Sequence, residues 1–293
     1  MNICFDYNQE TQDCSVSFRS KSRQPMTWQD EIFNTANYIR NSTDKEIIIA
    51  SSGGIDSEIA CLAFLKQNIQ FTVLTVQYPN SLNEHDISYA KKFCKENNLK
   101  HVIVELEPMY FYTEGIQKYI DAGYKAHNIF RYLQLFLLET IDQMGSCAVL
   151  GGGEQIYSVQ NNEVGINFPY DFFNPLTWVK NSGNLHFPYF YYSTPEQALS
   201  YLKEPLVQSV INNPQYLEKK LIELGDKDAL TPFALKTLIS YNKFPSSVFR
   251  LKYNGFESLI PLRREASIRL GKMFTINGTF IPVTKMIDDL EGH

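Results

Sequence analysis

The sequence lacks any C-x-x-C pair, and its five cysteines are Cys4, Cys14, Cys61, Cys94 and Cys147. An odd number at this spacing argues against a zinc ribbon or a thioredoxin-like motif, and it favours a reducing compartment such as the cytosol. No stretch approaches the roughly 18–20 continuous apolar residues of a membrane span. The first residues carry neither the basic region nor the apolar segment of a signal peptide.

Positive charge is also in short supply. Lys and Arg number 27 against 32 Asp and Glu, so the net charge is −5, whereas sequence-independent binding to nucleic acid needs a basic face. Hydrophobic residues make up 44% and aromatic residues 14% of the chain, a composition typical of globular proteins apart from its high aromatic content. We therefore expect a cytoplasmic protein, with nucleic acid a disfavoured partner, no membrane contact and a homodimer as an option.

The order of the apolar runs predicts an α/β fold. Three β-branched runs, 45–51, 71–76 and 101–106, are separated by two stretches with helical spacing. A fourth run, 147–150, follows a long helical stretch over 126–144. This β-α-β-α-β pattern specifies a parallel sheet with right-handed crossovers.

Shorter patterns flank this core. Weak alternation over residues 2–20 predicts two short strands joined by a polar turn. Thr27 is typical of a helix start, and this helix runs to about Arg40. The stretch Ser81–Glu84 has the spacing of a capping box that begins another helix, and Trp178–Leu185 is typical of a hairpin with a glycine-containing turn.

The patterns divide the chain into three parts. We predict a short N-terminal β segment (1–26), a core domain (27–160) and an acceptor-binding subdomain (161–293). Residues 195–242 have helical spacing. The aromatics between Tyr157 and Tyr192 favour core packing, with the wall of a pocket for an organic acceptor as the alternative.

The stretch between the first buried run and its helix carries the chemistry, and it reads Ser51-Ser52-Gly53-Gly54-Ile55-Asp56-Ser57. Two glycines permit a tight turn and the close approach of a ligand. The free N–H groups of a helix start point into the same space, and the serine hydroxyls add donors. This combination is an anion cradle suited to phosphate. Asp56 would repel phosphate unless Mg²⁺ lay between them, so we predict that Asp56 is a metal ligand.

No G-K-[ST] follows, so the loop is not a Walker A motif. It resembles the S-G-G-x-D-S signature of the PP-loop (N-type) ATP pyrophosphatases, which include asparagine, NAD, GMP and argininosuccinate synthetases. The resemblance implies an adenine nucleotide α-hydrolase-like (HUP) parallel-sheet core with a C-terminal helical and aromatic subdomain, and it implies ATP and Mg²⁺ as cofactors. A substrate oxygen attacks the α-phosphorus, the loop holds the departing pyrophosphate, and a nitrogen or sulfur nucleophile then releases AMP.

The same resemblance implies particular site residues. Nucleotide binding falls to the loop (Ser51, Ser52, Gly53, Gly54, Ile55, Asp56 and Ser57) and to the strand ends at Ala50, Leu74 and Val76, where open α/β sheets bind ligands. Asp56 is implied as catalytic. Related enzymes use a C-terminal lysine to neutralise pyrophosphate, so Lys252 and Lys272 are candidates, and Arg131 is a candidate phosphate contact. A solvent-exposed surface position is the alternative for each of these three cations.

Two looser matches favour the branch of asparagine synthetase and β-lactam synthetase. Leu150–Tyr157 resembles the G-E-G-x-D-E-L-F segment of that branch, and Gly255–Leu262 resembles its G-V-E-x-R-x-P-F segment. The first lacks the Asp, because Gln155 offers no charge, and the second lacks the Arg. Glu154 is nevertheless a candidate Mg²⁺ ligand and Gly152 a candidate nucleotide contact. No glutaminase domain is recognised, so the nitrogen would come from ammonia, a substrate amine or a partner.

We therefore predict an AMP-forming ligase that adenylates a small-molecule carboxylate or carbonyl and transfers it to a nitrogen nucleophile. Sulfur transfer is disfavoured, because Cys61, Cys94 and Cys147 fall inside predicted helices and a strand and the four-cysteine zinc site of the queuosine-pathway member is missing. One open alternative is modification of a tRNA base or nucleotide by the same chemistry. Another is a non-catalytic nucleotide-binding module, which the complete S-G-G-x-D-S signature argues against.

Overall fold

The computed structural model describes residues 3–7, 14–153, 157–213, 243–244, 260–274 and 277–293. The strands in these ranges form three sheets. The first is an antiparallel hairpin of β1 (Ile3–Tyr7) and β2 (Cys14–Phe18), which confirms the two short strands predicted near the N-terminus.

The central sheet is parallel throughout. Its strands are β3 (Ile47–Ala50), β4 (Thr72–Gln77), β5 (Lys100–Glu105) and β6 (Cys147–Leu150), in the order β5-β4-β3-β6. Every neighbouring pair in this sheet is parallel. The predicted α/β parallel-sheet core is confirmed.

Helices alternate with these strands along the chain. They are α1 (Trp28–Ser42), α2 (Ile55–Lys66), α3 (Glu84–Glu96), α4 (Pro108–Tyr110), α5 (Gln117–Asp121) and α6 (Ile129–Gln143). The second half adds α7 (Asn174–Ser182), α8 (Pro195–Leu202), α9 (Pro205–Ile211), α10 (Ile260–Met273) and α11 (Val283–Glu291). No helix in the described part of the chain combines the length and the apolar composition needed to cross a bilayer.

Alternate residues of β3 face different helices. Ile47 and Ile49 belong to a buried cluster that contains residues of α1 and α2. Ile48 belongs to a second cluster with Leu138 and Ile141 of α6. Side chains alternate across a strand, so both faces of the sheet are covered, and this is why the run is apolar at every position.

Two predicted helix and turn assignments are wrong. Ser81 lies at φ 57, a left-handed conformation that an N-cap does not adopt, and α3 begins after Asn83, whose amide Oδ1 accepts from Tyr78 N at 2.9 Å. The hairpin predicted at 178–185 is instead the end of α7, which stops at Gly183 with φ 71. Glycine just after a helix is a common C-terminal stop.

The second half of the chain forms a third sheet, which is antiparallel. Its strands are β7 (Tyr157–Gln160), β8 (Glu163–Pro169) and β9 (Gly278–Pro282), with β8 in the middle. Of the predicted helical stretch 195–242, α8 and α9 are confirmed, and residues 214–242 lie outside the described ranges.

One buried cluster joins distant parts of the chain. It contains Ile3 of the hairpin, Ile49 of the central sheet, Phe168 of the third sheet and Leu290 of α11. The segment after β2 is also bonded to α11, because Lys21 N donates to Leu290 O at 2.8 Å. The predicted three-part division of the chain stays a prediction.

The strand order reverses at β3. Strands β4 and β5 lie on one side of β3, and β6 lies on the other. Open α/β sheets bind ligands beyond the carboxyl ends of the strands at such a reversal. The turns after β3 (residues 51–54, the β3 turn) and after β6 (residues 151–153, the β6 turn) therefore meet where a ligand is expected.

Candidate functional site

The β3 turn begins as an extension of the sheet. Ser51 N donates to Leu74 O at 2.8 Å, and Thr75 Oγ1 donates to Ser51 O at 2.9 Å. The Thr75 hydroxyl is buried and lies 2.9 Å from His101 Nε2. Both main-chain polar atoms of Ser51 are thus held by β4, so the turn starts from a fixed position.

The two buried serine hydroxyls hold the turn itself. Gly53 N donates to Ser51 Oγ at 3.3 Å, Ser51 Oγ lies 3.1 Å from Ser57 Oγ, and Ser57 Oγ donates to Gly54 O at 3.0 Å. Each hydroxyl has one hydrogen to donate, so Ser51 donates to Ser57 and both hydrogens are used within the turn. Of the three hydroxyls predicted as phosphate donors, only that of Ser52 is exposed. Phosphate binding by Ser51 and Ser57 stays a prediction.

The two glycines of the β3 turn have different surroundings. Gly53 has φ +81, and a Cβ there would lie 2.0 Å from the main-chain oxygen of Asp86 in α3. Gly54 has φ −76 and ψ 157, and among the described residues a Cβ there would meet only Ser52 Oγ, at 3.5 Å. The Gly53 position therefore faces α3, and the open side of the turn belongs to Gly54. Nucleotide binding by Gly53 stays a prediction.

Helix α2 starts directly behind this open position. Gly54 is its N-cap, and no side chain caps the helix. Its first-turn N–H groups and the positive end of its dipole therefore favour an anion. Asp56 lies in this turn, half-buried, and its main-chain oxygen accepts from Tyr191 Oη at 3.0 Å. The predicted residues Ile55, Asp56 and Ser57 thus all lie on the turn that presents the N–H groups.

The β6 turn packs tightly against its neighbours. A Cβ on Gly151 would lie 2.9 Å from the N and Cα atoms of Ser57. A Cβ on Gly152 would lie 3.1 Å from Tyr189 Cδ1 and 3.3 Å from Gln134 Nε2. The absence of a side chain at Gly151 lets β6 approach the start of α2, and this brings Gly152 next to the predicted site.

Arg131 of α6 lies on the other side of the β6 turn from α2. Its Nη1 donates to Gln134 Oε1 at 3.0 Å and to Tyr189 Oη at 3.5 Å. Its Nε lies 3.5 Å from Asp171 Oδ1, and its guanidinium lies over the ring of Phe172 at 5.3 Å. Since Tyr189 and Gln134 also border Gly152, the structure brings Arg131 to the candidate site.

The strand ends predicted to face adenine lie at this edge of the sheet. Ala50 pairs with Leu74 on one side and with Leu150 on the other. The Leu74 side chain is fully buried, and the carbonyl of Val76 accepts from Asn83 Nδ2 at 2.9 Å. Adenine contact by Ala50, Leu74 and Val76 stays a prediction.

The remaining predicted residues are not brought to the site by described contacts. Lys272 is exposed in the last turn of α10. Lys252 and Glu154 lie outside the described residues, as does most of the segment 255–262 on which the asparagine-synthetase match depends. The nearness to that branch stays a prediction.

The sequence reasoning missed three polar residues that border the turns. They are Thr75, which holds the β3 turn, Tyr191, which bonds to Asp56, and Asp171, which pairs with Arg131. The position of Thr75 near the carboxyl end of a predicted strand was an available signal. Tyr191 belongs to the aromatic stretch for which a pocket wall was the alternative to core packing. Asp171 had no signal, because it reaches the site from the second half of the chain.

The described thiols are poor nucleophiles. Burial raises the pKa of Cys94 to about 11 and that of Cys147 to about 12. Burial also raises the pKa of Cys61, and the neighbouring Cys94 adds to this. The thiolate is the reactive form of cysteine, so none of these three is ready for sulfur transfer near neutral pH. Nor does any group of three or more His, Cys, Asp or Glu side chains in the described ranges have the arrangement of a metal site.

Comparison with known families returns one match. A model of the family described as queuosine biosynthesis protein QueC matches residues 46–115, about a quarter of the chain. The matched segment contains β3, the β3 turn, α2, β4, α3 and β5. A search of curated proteins returns no significant match.

Solved structures give weaker similarities. The chain is similar to a predicted subunit of a tRNA methyltransferase from Methanocaldococcus jannaschii, with 14% identity, a TM-score of 0.32 and coverage of 48% of this chain and 66% of that one, just under two thirds. It is similar to an NH3-dependent NAD synthetase from Campylobacter jejuni, with 14% identity, a TM-score of 0.35 and coverage of 77% and 99%. It is also similar to NMN synthetase from Francisella tularensis, with 13% identity, a TM-score of 0.35 and coverage of 78% of this chain and 97% of that one.

Proposed function

We propose that this chain, which carries the nucleotide-binding core of the PP-loop ATP pyrophosphatase superfamily, is an ATP- and Mg²⁺-dependent, AMP-forming enzyme. It adenylates a carboxylate or carbonyl of an acceptor and transfers the activated group to a nitrogen nucleophile. The observation that carries this proposal is the open face of Gly54 at the uncapped start of α2.

The fit to nucleotide rests on this glycine. Its backbone angles are open to any residue, and no main-chain atom of the described residues lies within 4 Å of its Cβ position, so the described part of the fold gives no reason for a glycine there. A phosphate that approaches the main chain gives one. The pyrophosphate end of ATP therefore belongs in front of Gly54, where the first-turn N–H groups of α2 stabilise its charge.

Asp56 is the described residue that suits Mg²⁺. In nucleotide sites Mg²⁺ is held by one or two carboxylates together with phosphate oxygens, so a single carboxylate on the phosphate-binding turn is sufficient. Glu154 is the second candidate. The metal supplies charge neutralisation for the leaving pyrophosphate.

The chain's own groups then position the reactants. The α2 turn holds the leaving pyrophosphate, and an acceptor oxygen attacks the α-phosphorus from the side of the β6 turn. Ammonia or a substrate amine attacks the activated carbon and releases AMP. The raised pKa values of the Cys61, Cys94 and Cys147 thiols favour nitrogen over a sulfur atom of these side chains as the donor.

A base or nucleotide is the second candidate acceptor. The match of residues 46–115 to the family of queuosine biosynthesis protein QueC favours it. The net charge of −5 favours a free small molecule over a large nucleic acid. The same adenylation chemistry serves both candidates.

The test is the release of AMP and pyrophosphate from α-labelled ATP, with Mg²⁺, ammonia and metabolite fractions as acceptor sources. We expect Asp56→Asn to reduce acceptor-dependent AMP release at least about 100-fold, because it removes the metal-binding charge. The matched control is Asp30→Asn, which removes a carboxylate from the first turn of α1. It should retain wild-type activity.

Two outcomes would contradict the proposal. Release of ADP and phosphate instead of AMP would show cleavage at a different bond. Binding of ATP without turnover in any fraction would favour the non-catalytic nucleotide-binding module. If Asp56→Asn is as active as Asp30→Asn, Asp56 has no part in the reaction.

A further inference from the structure

Two arginines in this chain lie beside buried carboxylates, and their geometries differ. Arg23 makes a bidentate pair with Glu31, with both N–O distances at 2.6 Å. Arg131 approaches the buried Asp171 with Nε alone, at 3.5 Å from Oδ1, and the other oxygen of Asp171 lies 3.1 Å from His127 Nδ1. Arginine–carboxylate pairs are frequently bidentate, whereas Arg131 leaves both of its terminal nitrogens for partners other than Asp171.

The other contacts of Arg131 hold its guanidinium in one orientation. Nη1 donates to Gln134 and to the hydroxyl of Tyr189, and that hydroxyl itself donates to Phe172 O at 2.6 Å. The Phe172 ring lies under the guanidinium and stacks on Tyr189 at 4.2 Å. A cation fixed by packing and hydrogen bonds loses little freedom when it binds a ligand.

One edge of this fixed cation is available. Within the described residues, Nη2 of Arg131 donates no hydrogen bond. The side chain is 17% exposed, whereas that of Asp171 is 1% exposed. The two N–H groups of Nη2 therefore remain for a ligand while Nη1 and Nε are directed at protein atoms, and a charge-assisted hydrogen bond from one fixed nitrogen suits an anion such as a carboxylate.

This edge lies close to the proposed phosphate site. Gly151 contacts the first turn of α2, and the next residue, Gly152, contacts Tyr189 and Gln134, the partners of Arg131. Consecutive Cα atoms are about 3.8 Å apart. A group on Arg131 and a phosphate on α2 are thus separated by little more than the β6 turn.

We propose that Arg131 binds the carboxylate of the acceptor and makes the enzyme selective for acids over neutral carbonyl compounds. This inference rests on the proposed function, because it places the acceptor beside the α-phosphorus. Phosphate is the rival anion for the same edge. The position of Arg131 across the β6 turn from the start of α2 favours the acceptor.

The experiment compares two probes of the same shape, benzoate and the neutral benzamide. Their binding is measured by ligand-observed NMR titration with α,β-methylene-ATP and Mg²⁺ present, and nucleotide affinity is measured by calorimetry. The variant is Arg131→Lys, which keeps the positive charge beside Asp171 but loses the planar guanidinium and its fixed Nη2 donor. The matched control is Arg23→Lys, which alters the other arginine–carboxylate pair.

We expect benzoate to bind the wild type, to bind Arg131→Lys at least about fivefold more weakly and to bind Arg23→Lys unchanged. Benzamide should bind none of them, and nucleotide affinity should be equal in all three. If Arg131→Lys fails to fold, the double variant Arg131→Gln with Asp171→Asn removes both charges and should lose benzoate binding in the same way.

Three results would overturn the inference. They are failure of benzoate to bind the wild type, equal benzoate affinity in the wild type and Arg131→Lys, and a fivefold loss of nucleotide affinity in Arg131→Lys, which would make Arg131 a phosphate ligand. The two proposals fail separately. If benzoate binding depends on Arg131 but no acid gives AMP release, only the proposed function is removed. If AMP is released and the KM for the acid is equal in the wild type and Arg131→Lys, only this inference is removed.

Discussion

The β3 turn and the β6 turn are both rich in glycine, but the glycines serve different purposes. In the β6 turn, the Cβ positions of Gly151, Gly152 and Gly153 all lie within 2.9–3.1 Å of neighbouring protein atoms. In the β3 turn, Gly53 is packed in the same way, but Gly54 faces open space apart from one hydroxyl. Close packing therefore explains the three glycines of the β6 turn and Gly53 of the β3 turn. Of these five glycines, Gly54 is the one that contacts between described residues do not explain.

This difference separates structural from functional glycines. A glycine required by packing or by positive φ reveals nothing about a ligand, because its replacement fails in the free protein. A glycine that the fold does not require points to a molecule outside the chain. Substitutions at the two turns should therefore divide into those that damage stability and one that damages binding.

The largest effect on stability is expected at Gly53. Gly53→Ala places a side chain at φ +81 and 2.0 Å from the Asp86 oxygen, so the free energy of unfolding should fall by about 3 kcal/mol or more. Urea unfolding measures this. The control is Gly123→Ala, which has φ +91 and open space and should lose only about 1–2 kcal/mol. Equal losses would show that contact with α3 does not matter.

A smaller loss is expected at Gly151. Gly151→Ala inserts a methyl group 2.9 Å from the backbone of Ser57 without a positive φ, so the loss should be about 1–3 kcal/mol. The control is Gly271→Ala in α10, which meets nothing within 4 Å and should stabilise the helix by up to about 1 kcal/mol. If Gly151→Ala matches the wild type in urea, the close approach of β6 to α2 is not required.

The smallest effect on stability is expected at Gly54, where binding and stability should change independently. Gly54→Ala should leave the free energy of unfolding within about 1 kcal/mol of the wild type, because the backbone angles suit alanine. Affinity for Mg²⁺·ATP, measured by calorimetry, should fall at least about tenfold, because the methyl group enters the phosphate space. Unchanged affinity would place the phosphates elsewhere and remove the functional reading of this turn.

Local patterns were sufficient for the central sheet, but they did not predict the antiparallel sheet of β7, β8 and β9. The β-branched runs predicted the four parallel strands, and Thr27 predicted the start of α1, where it accepts from Asp30 N. Local patterns failed where the same residue type is typical of two different local structures. Gly183 fits a hairpin turn and a helix end equally well. Asn83 stands at the N-cap position of α3, but its amide bonds the backbone at Tyr78 and Val76 and does not cap the helix.

The candidate site was predictable only in part. The seven residues of the loop were found because their chemistry is contiguous in sequence. The hydroxyl of Thr75 and the Arg131–Asp171 pair were not found in their observed roles, because each depends on contacts between segments that are far apart in the chain. The motif also did not predict which neighbours the Cβ positions of Gly53 and Gly54 would face.

The sequence by itself determined the four parallel strands, the helices between them and the glycine- and serine-rich turn at the start of α2, because hydrophobic periodicity and the local preferences of glycine and serine act over a few neighbouring residues. Only the tertiary structure decided which glycine is open, which hydroxyls are already bonded and which arginine stands beside the turn. Those properties depend on α3, β4, α6 and the β6 turn meeting at one edge of the sheet, and contacts between distant segments exist only after the chain has folded.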